Sequence, residues 1–214
     1  DQTTNATALV FTGTGAVAGG TVELWQGSVK LASVSTSAAG TWTVALTSSA
    51  IVLPESTTPH NIKARVIDGQ GNISGFSAET PVTIDRTAPT SSLTLNDLSA
   101  TDDSGRSNSD GIIQQTQPTI SGSGASAHAK VQIFNGTNTT PLATLTADAS
   151  GAFSGFVSLP AGSSHSLYAA QIEAAGNLGP KSNLLVVNVD NTAATAPVIT
   201  TPLSGLAGNP RISG

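Results

Sequence analysis

The 214 residues include no cysteine and no methionine. Without cysteine there is no disulfide framework and no thiol chemistry. Charged residues make up only 10% of the chain and aromatics 4%. Thirteen acidic against eight basic residues leave a net charge of −5, which argues against nucleic acid or an acidic membrane surface as a partner. No apolar run approaches the ~20 residues a membrane-spanning helix needs, so membrane insertion is not expected. No signal peptide opens the chain and no initiator methionine is present. Residue 1 falls inside a repeating unit, so the chain reads as a segment of a longer one.

What is present is 29 Thr, 27 Ser, 22 Gly and 11 Pro, a composition of short strands and turns rather than helices. Regular apolar alternation argues against disorder. The chain also repeats itself. Val22-Glu23-Leu24-Trp25-Gln26-Gly27 returns as Val131-Gln132-Ile133-Phe134-Asn135-Gly136. Gly40-Thr41-Trp42 returns as Gly151-Ala152-Phe153, and Ile84-Asp85-Arg86-Thr87 as Val189-Asp190-Asn191-Thr192. A near-domain-length tandem repeat marks an array, and arrays present or space something more often than they catalyse. The expected units are residues 1–87, 88–192 and, from 193–214, the start of a third.

In the second unit, strands are expected at Ser91–Leu95, Pro118–Gly122, Lys130–Phe134, Leu142–Thr146, Ala152–Ser158, Ser166–Ala174 and Asn183–Val189. Val131 and Ile133 share an inward face, Ile120 and Phe153 point inward, and a phase slip in the sixth strand suggests a bulge. Seven short strands separated by turn signals predict a β-sandwich. The first unit follows the same order but lacks the opening strand. Thr87-Ala88-Pro89 and Asn191–Pro197 are linkers too short for free tumbling.

Three segments resemble the bacterial immunoglobulin-like repeats of large surface adhesins of the biofilm-associated and RTX type, exported by type I secretion. They are Val82–Pro89, the turn Val66–Ser74, and Thr101–Ile112 with its continuation Gln117–Gly122. The resemblance implies an all-β fold of tandem Ig-like Greek-key β-sandwiches, about seven strands each, in an elongated array. It also implies a rod stiffened by calcium at the junctions, on the surface of a bacterial cell. The chain departs from the pattern where Glu173 replaces the Asp68 of the first unit, and where the third unit lacks the acidic stretch.

Calcium takes six to eight oxygen ligands, so it needs carboxylates together with carbonyls on adaptable backbone. Asp102, Asp103 and Asp110 offer three carboxylates around Gly105. The loop is not an EF-hand, because Ile113 occupies the twelfth position, where a bidentate glutamate belongs. Sandwich topology is expected to place these three near Asp190, facing the third unit. Asp1 and Asp85 are likewise expected to face the second unit, while the Asp68 and Glu173 turns point back toward a preceding one. A solvated loop is the competing reading of Asp102–Asp110, an Asx-turn that of Asp85 and Asp190, and a plain hairpin turn that of Asp68. Asp148 reads as a turn alone.

His60 and His165 occupy one aligned position and read as framework. Trp25 with Phe134, and Trp42 with Phe153, read as core. No nucleophile elbow and no acid–base carboxylate pair appears, so no enzyme is expected. The expected function is a structural spacer in a secreted cell-surface adhesin, supporting adhesion or biofilm formation and requiring Ca2+. Its expected partners are the neighbouring repeats of a monomeric chain and, through distal domains, a host or biofilm-matrix surface. A glycan- or protein-binding Ig-like module, or an accessory spacer of a secreted hydrolase, are the alternatives.

Overall fold

The computed structural model describes residues 2–47 and 52–199. Asp1 and residues 200–214 of the third unit lie outside the described residues. The first sandwich contains β1 (Thr3–Thr4), β2 (Leu9–Gly13), β3 (Thr21–Gln26), β4 (Val29–Ser35), β5 (Trp42–Leu46), β6 (His60–Ile67) and β7 (Thr80–Ile84). The second contains β8 (Thr94–Leu95), β9 (Ile112–Ile113), β10 (Thr119–Ser123), β11 (Lys130–Asn135), β12 (Ala143–Thr146), β13 (Phe153–Phe156), β14 (Ser163–Ile172) and β15 (Leu185–Val189).

In the second sandwich the sheet β12-β11-β14-β15-β9 faces the sheet β13-β10-β8. The first repeats this plan with β4-β3-β6-β7-β1 facing β2-β5. Neighbours such as β10 with β13, and β11 with β14, are three strands apart in sequence, as in a Greek key. Period-two alternation turns Val131, Ile133, Leu167, Ala169, Val187 and Val189 inward against Ile120 and Phe153. Leu24, Val44, Leu46, Ile62, Val82 and Ile84 form a separate core in the first sandwich. Each such side chain, fully buried, contributes about 1.5–3 kcal/mol.

The two copies solve one packing problem alike. Gly13 lies opposite Trp42 and Gly122 opposite Phe153 in the strand register. A Cβ on Gly13 would lie 2.3 Å from the indole, and one on Gly122 2.4 Å from the phenyl ring. The ring of one strand therefore lies over the bare backbone of its neighbour.

Three expectations fail. The opening strand is split: β8 pairs antiparallel with β10, and after the acidic segment the chain returns as β9, parallel to β15 on the other sheet; the first unit, expected to lack this strand, keeps its second half as β1, parallel to β7. The acidic segment is thus a crossing between sheets within the first strand, and β9 is too short to show alternation. The sixth strand carries no bulge, since β14 pairs with β11 in unbroken register. Its slip in phase arises because Gln171 takes the inward place and Ile172 the outward one. Finally, Trp25 and Phe134 are outside the sandwich cores. Phe134 stacks on Tyr168 at 5.1 Å in a cluster of its own, and Trp25 meets Phe76 edge-on at 6.0 Å. The other aromatic pair behaves as expected, with Phe153 in one core and Trp42 against the other.

Candidate functional site

Two places gather the acidic residues. The first is the crossing segment. Asp102 is buried, and its Oδ1 accepts from the Thr119 amide at 3.2 Å and from Gln115 Nε2. Its Oδ2 accepts from Ser99 Oγ at 2.8 Å. Burial alone would raise this carboxyl, but the bonds from Ser99, Thr119 and Gln115 outweigh it and hold it below the ordinary value of 3.8. Asp102 is therefore a staple between the crossing and β10.

Asp103 is different. It is only 2% exposed; Oδ2 accepts from the Gly111 amide at 3.1 Å, while Oδ1 is buried without a partner. A buried carboxylate oxygen with no donor is costly unless a cation meets it. Asp103 lines a hollow of about 220 Å3 with Asp97, Asn108, Ser109, Asp110 and Val186. Asp97 escaped sequence reading because it is set apart from the Asp-Asp pair by strand-like and turn residues.

The register of β9 separates this hollow from Asp190. Ile112 pairs with Asn188 and Ile113 with Val189, which continues Asp110 alongside Val186. Four residues of strand, ~13 Å at a rise of ~3.3 Å each, then lie between that level and Asp190. The expected grouping of Asp102, Asp103 and Asp110 around Asp190 is not formed. Asp190 instead caps its own strand end, Oδ1 accepting from the Thr192 amide at 2.9 Å.

The second place is the junction between the sandwiches. Here Asp85 and Glu173, from different units, line one open hollow of about 420 Å3 with Thr87, Pro89, Ser126 and Gln171. Asp85 Oδ1 accepts from the Thr87 amide at 3.0 Å, and Glu173 Oε1 accepts from Asn177 Nδ2. Asp68 lies in the corresponding turn of the first sandwich. It is satisfied by the amides of Gln70 and Asn72 and by Asn72 Nδ2, bonds that lower its pKa, the Asn72 side chain foremost. Asp148 holds a hairpin turn in the same manner. Among the described residues no three carboxylates or imidazoles converge as a ready-made metal cage.

The histidines are framework. His60 Nε2 donates to the Pro54 carbonyl at 2.8 Å while Nδ1 accepts from Gln26 at 2.9 Å. His165 repeats this with Pro160 and Asn135. A carbonyl can only accept, so Nε2 is the donor in both rings.

Two facing sheets, Greek-key pairing and a first strand shared between the sheets define an immunoglobulin-like β-sandwich. Residues 90–191 match the family model of the bacterial Ig-like domain. No curated protein matches the chain. Among solved structures it is similar to a domain of a biofilm-associated protein, at 15% identity and a TM-score of 0.30, covering 91% of this chain and 29% of that one. It is also similar to part of a 1.5-MDa bacterial ice-binding adhesin, at 21% identity and 0.37, covering 86% and 57%. A third is a Ca2+-stabilized, ice-binding adhesin of an Antarctic bacterium, at 19% and 0.38, covering 87% and 44%. The chain spans less than two thirds of the length of each.

Proposed function

We propose that this chain is a non-catalytic spacer from the repetitive stalk of a secreted bacterial surface adhesin, and that calcium stiffens it. The observation that carries the reading is the serial junction. Two similar sandwiches meet end to end, with β1 and β7 of one abutting the penultimate turn of the next. Such an arrangement transmits position and force along the chain.

Calcium fits the crossing segment best. Asp103 Oδ1 is an unmet buried anion, and Asp97, Asp110, Asn108 and Ser109 supply further oxygens around the same hollow. Calcium held there would brace the sheet-to-sheet crossing. At the junction, Asp85 and Glu173 are the carboxylates that would take a second ion. Bound calcium supplies divalent charge, and the chain's own residues supply the shape that the charge locks.

The test is a calcium titration by calorimetry, beside small-angle scattering in calcium and in EDTA. Saturable binding and a narrower range of interdomain geometries with calcium are expected. No binding together with identical scattering profiles would overturn the calcium reading.

A further inference from the structure

We infer that the two sandwiches dock through a direct amide latch, Asn5 against Asn177, which fixes their relative orientation without a metal. The inference deepens the spacer reading and rests on it for its purpose, but its geometry stands apart from calcium.

Asn5 leaves β1 of the first sandwich. Its backbone N–H donates to the Ala175 carbonyl at 3.1 Å, and its Nδ2 to Asn177 Oδ1 at 3.0 Å. Asn177 Nδ2 donates in turn to the Asp85 carbonyl at 2.8 Å and to Glu173 Oε1. One side chain of the second sandwich thus holds both strand exits of the first, since Asp85 follows β7. Gly176 has φ +95°, as Gly71 has +89° in the matching turn, so the turn itself calls for glycine, and Asn5 lies in ordinary contact against this bare backbone. Gly179 packs against the Pro89 carbonyl, where a Cβ would lie at 3.0 Å, so the linker is pressed to the same turn.

Only an amide fits position 177, because the side chain must accept from Asn5 and donate to Asp85 and Glu173. A carboxylate of equal shape would set acceptor against acceptor on the second side. The surface also identifies its partner class, which is another repeat of this kind. Asn72 occupies the matching turn of the first sandwich, exposed, with Nδ2 parked on Asp68 at 2.8 Å. At the far end, Gln114 follows β9 as Asn5 follows β1, and it is exposed beside the exit of β15.

The test uses the absence of cysteine. Cysteines introduced at Ser35 and Thr144, both exposed and one on each sandwich, carry spin labels whose distance distribution reports interdomain motion. In EDTA the otherwise unsubstituted chain should give a narrower distribution than either latch variant, and calcium should narrow it further. Asn177→Asp and Asn5→Ala should each broaden it, and the double variant should add little, because either change opens the same latch. Unaltered melting of both sandwiches confirms that the variants fold. Equal widths for all variants in EDTA would overturn the latch. A failure of calcium to affect any of the chains would sink the calcium reading and leave the latch standing.

Discussion

Removal of the Asp102 carboxylate should destabilise the second sandwich selectively. In Asp102→Ala the Thr119 amide, Gln115 Nε2 and Ser99 Oγ lose their common acceptor. A buried donor left unpaired costs about 1–3 kcal/mol. The hydroxyl can turn elsewhere and the half-buried glutamine can reach water, so the loss is about 2–4 kcal/mol in all. For a domain near 100 residues that lowers Tm by roughly 10–25 °C. Asp102→Asn keeps the shape. Its oxygen can stay with Thr119 and Gln115 while its NH2 turns to Ser99, so only the charge is lost, about 1 kcal/mol. The pH dependence has a definite sign. The folded carboxyl lies below the ordinary 3.8, so the ionised form stabilises the fold fully above that value, and its contribution fades as pH falls through the folded pKa. Calorimetric melting from pH 7 to pH 2 should show the gap between Asp102→Asn and the native chain closing at the acid end. The transition of the first sandwich serves as the internal control. A gap constant across pH, or an equal loss in the first sandwich, would refute the reasoning.

Asp103→Asn should behave in the opposite way. In EDTA it relieves an unpaired buried charge, and Tm of the second sandwich should hold or rise, while calorimetry should show calcium affinity falling at least tenfold, about 1.4 kcal/mol. Glu23→Gln should weaken the first sandwich alone. The Glu23 carboxylate is buried yet held below its usual range, as its bonds to Arg65 at 2.8 Å, Lys30 at 3.2 Å and the Trp25 indole outweigh desolvation. Its neutral analogue should cost about 1–3 kcal/mol, measured in urea, with a shift in Trp25 fluorescence.

The inner frame was legible because it is periodic and present twice. Val131, Ile133, Phe153 and the paired histidines could be read from alternation and offset alone. The split first strand could not, because two residues of β9 carry no period and their parallel partner lies some 75 residues away. The position of the acidic residues depended on that strand. An ordinary loop would have delivered Asp110 to the sandwich end, whereas the parallel register sets it beside Val186. Trp25 and Phe134 were misplaced for a related reason. An aromatic repeated between copies marks a framework position, but a sheet has two faces and repetition does not say which one.

The outer faces show what the frame requires there. In the first sandwich Lys63 lies 4.6 Å from the Phe76 ring centroid, and Arg65 lies 4.5 Å from that of Trp25. In the second, Lys181 lies 4.1 Å from the centroid of Tyr168. Lys63 and Tyr168 are the same position in the two copies, as are Phe76 and Lys181, so cation and ring have exchanged places while the contact persists. Each such contact is worth about 0.5–1 kcal/mol at a partly exposed site, and it covers a sheet face that would otherwise be a bare apolar surface. The two units therefore share a pairing rather than a residue at this face. At the poles the relation is reversed: Asn72 and Asn177 are the same residue, one bonded within its own turn and the other shared with a neighbour. The face tolerates exchange because its contact is made within one unit. The latch does not, because both partners must present matching donors and acceptors across a boundary.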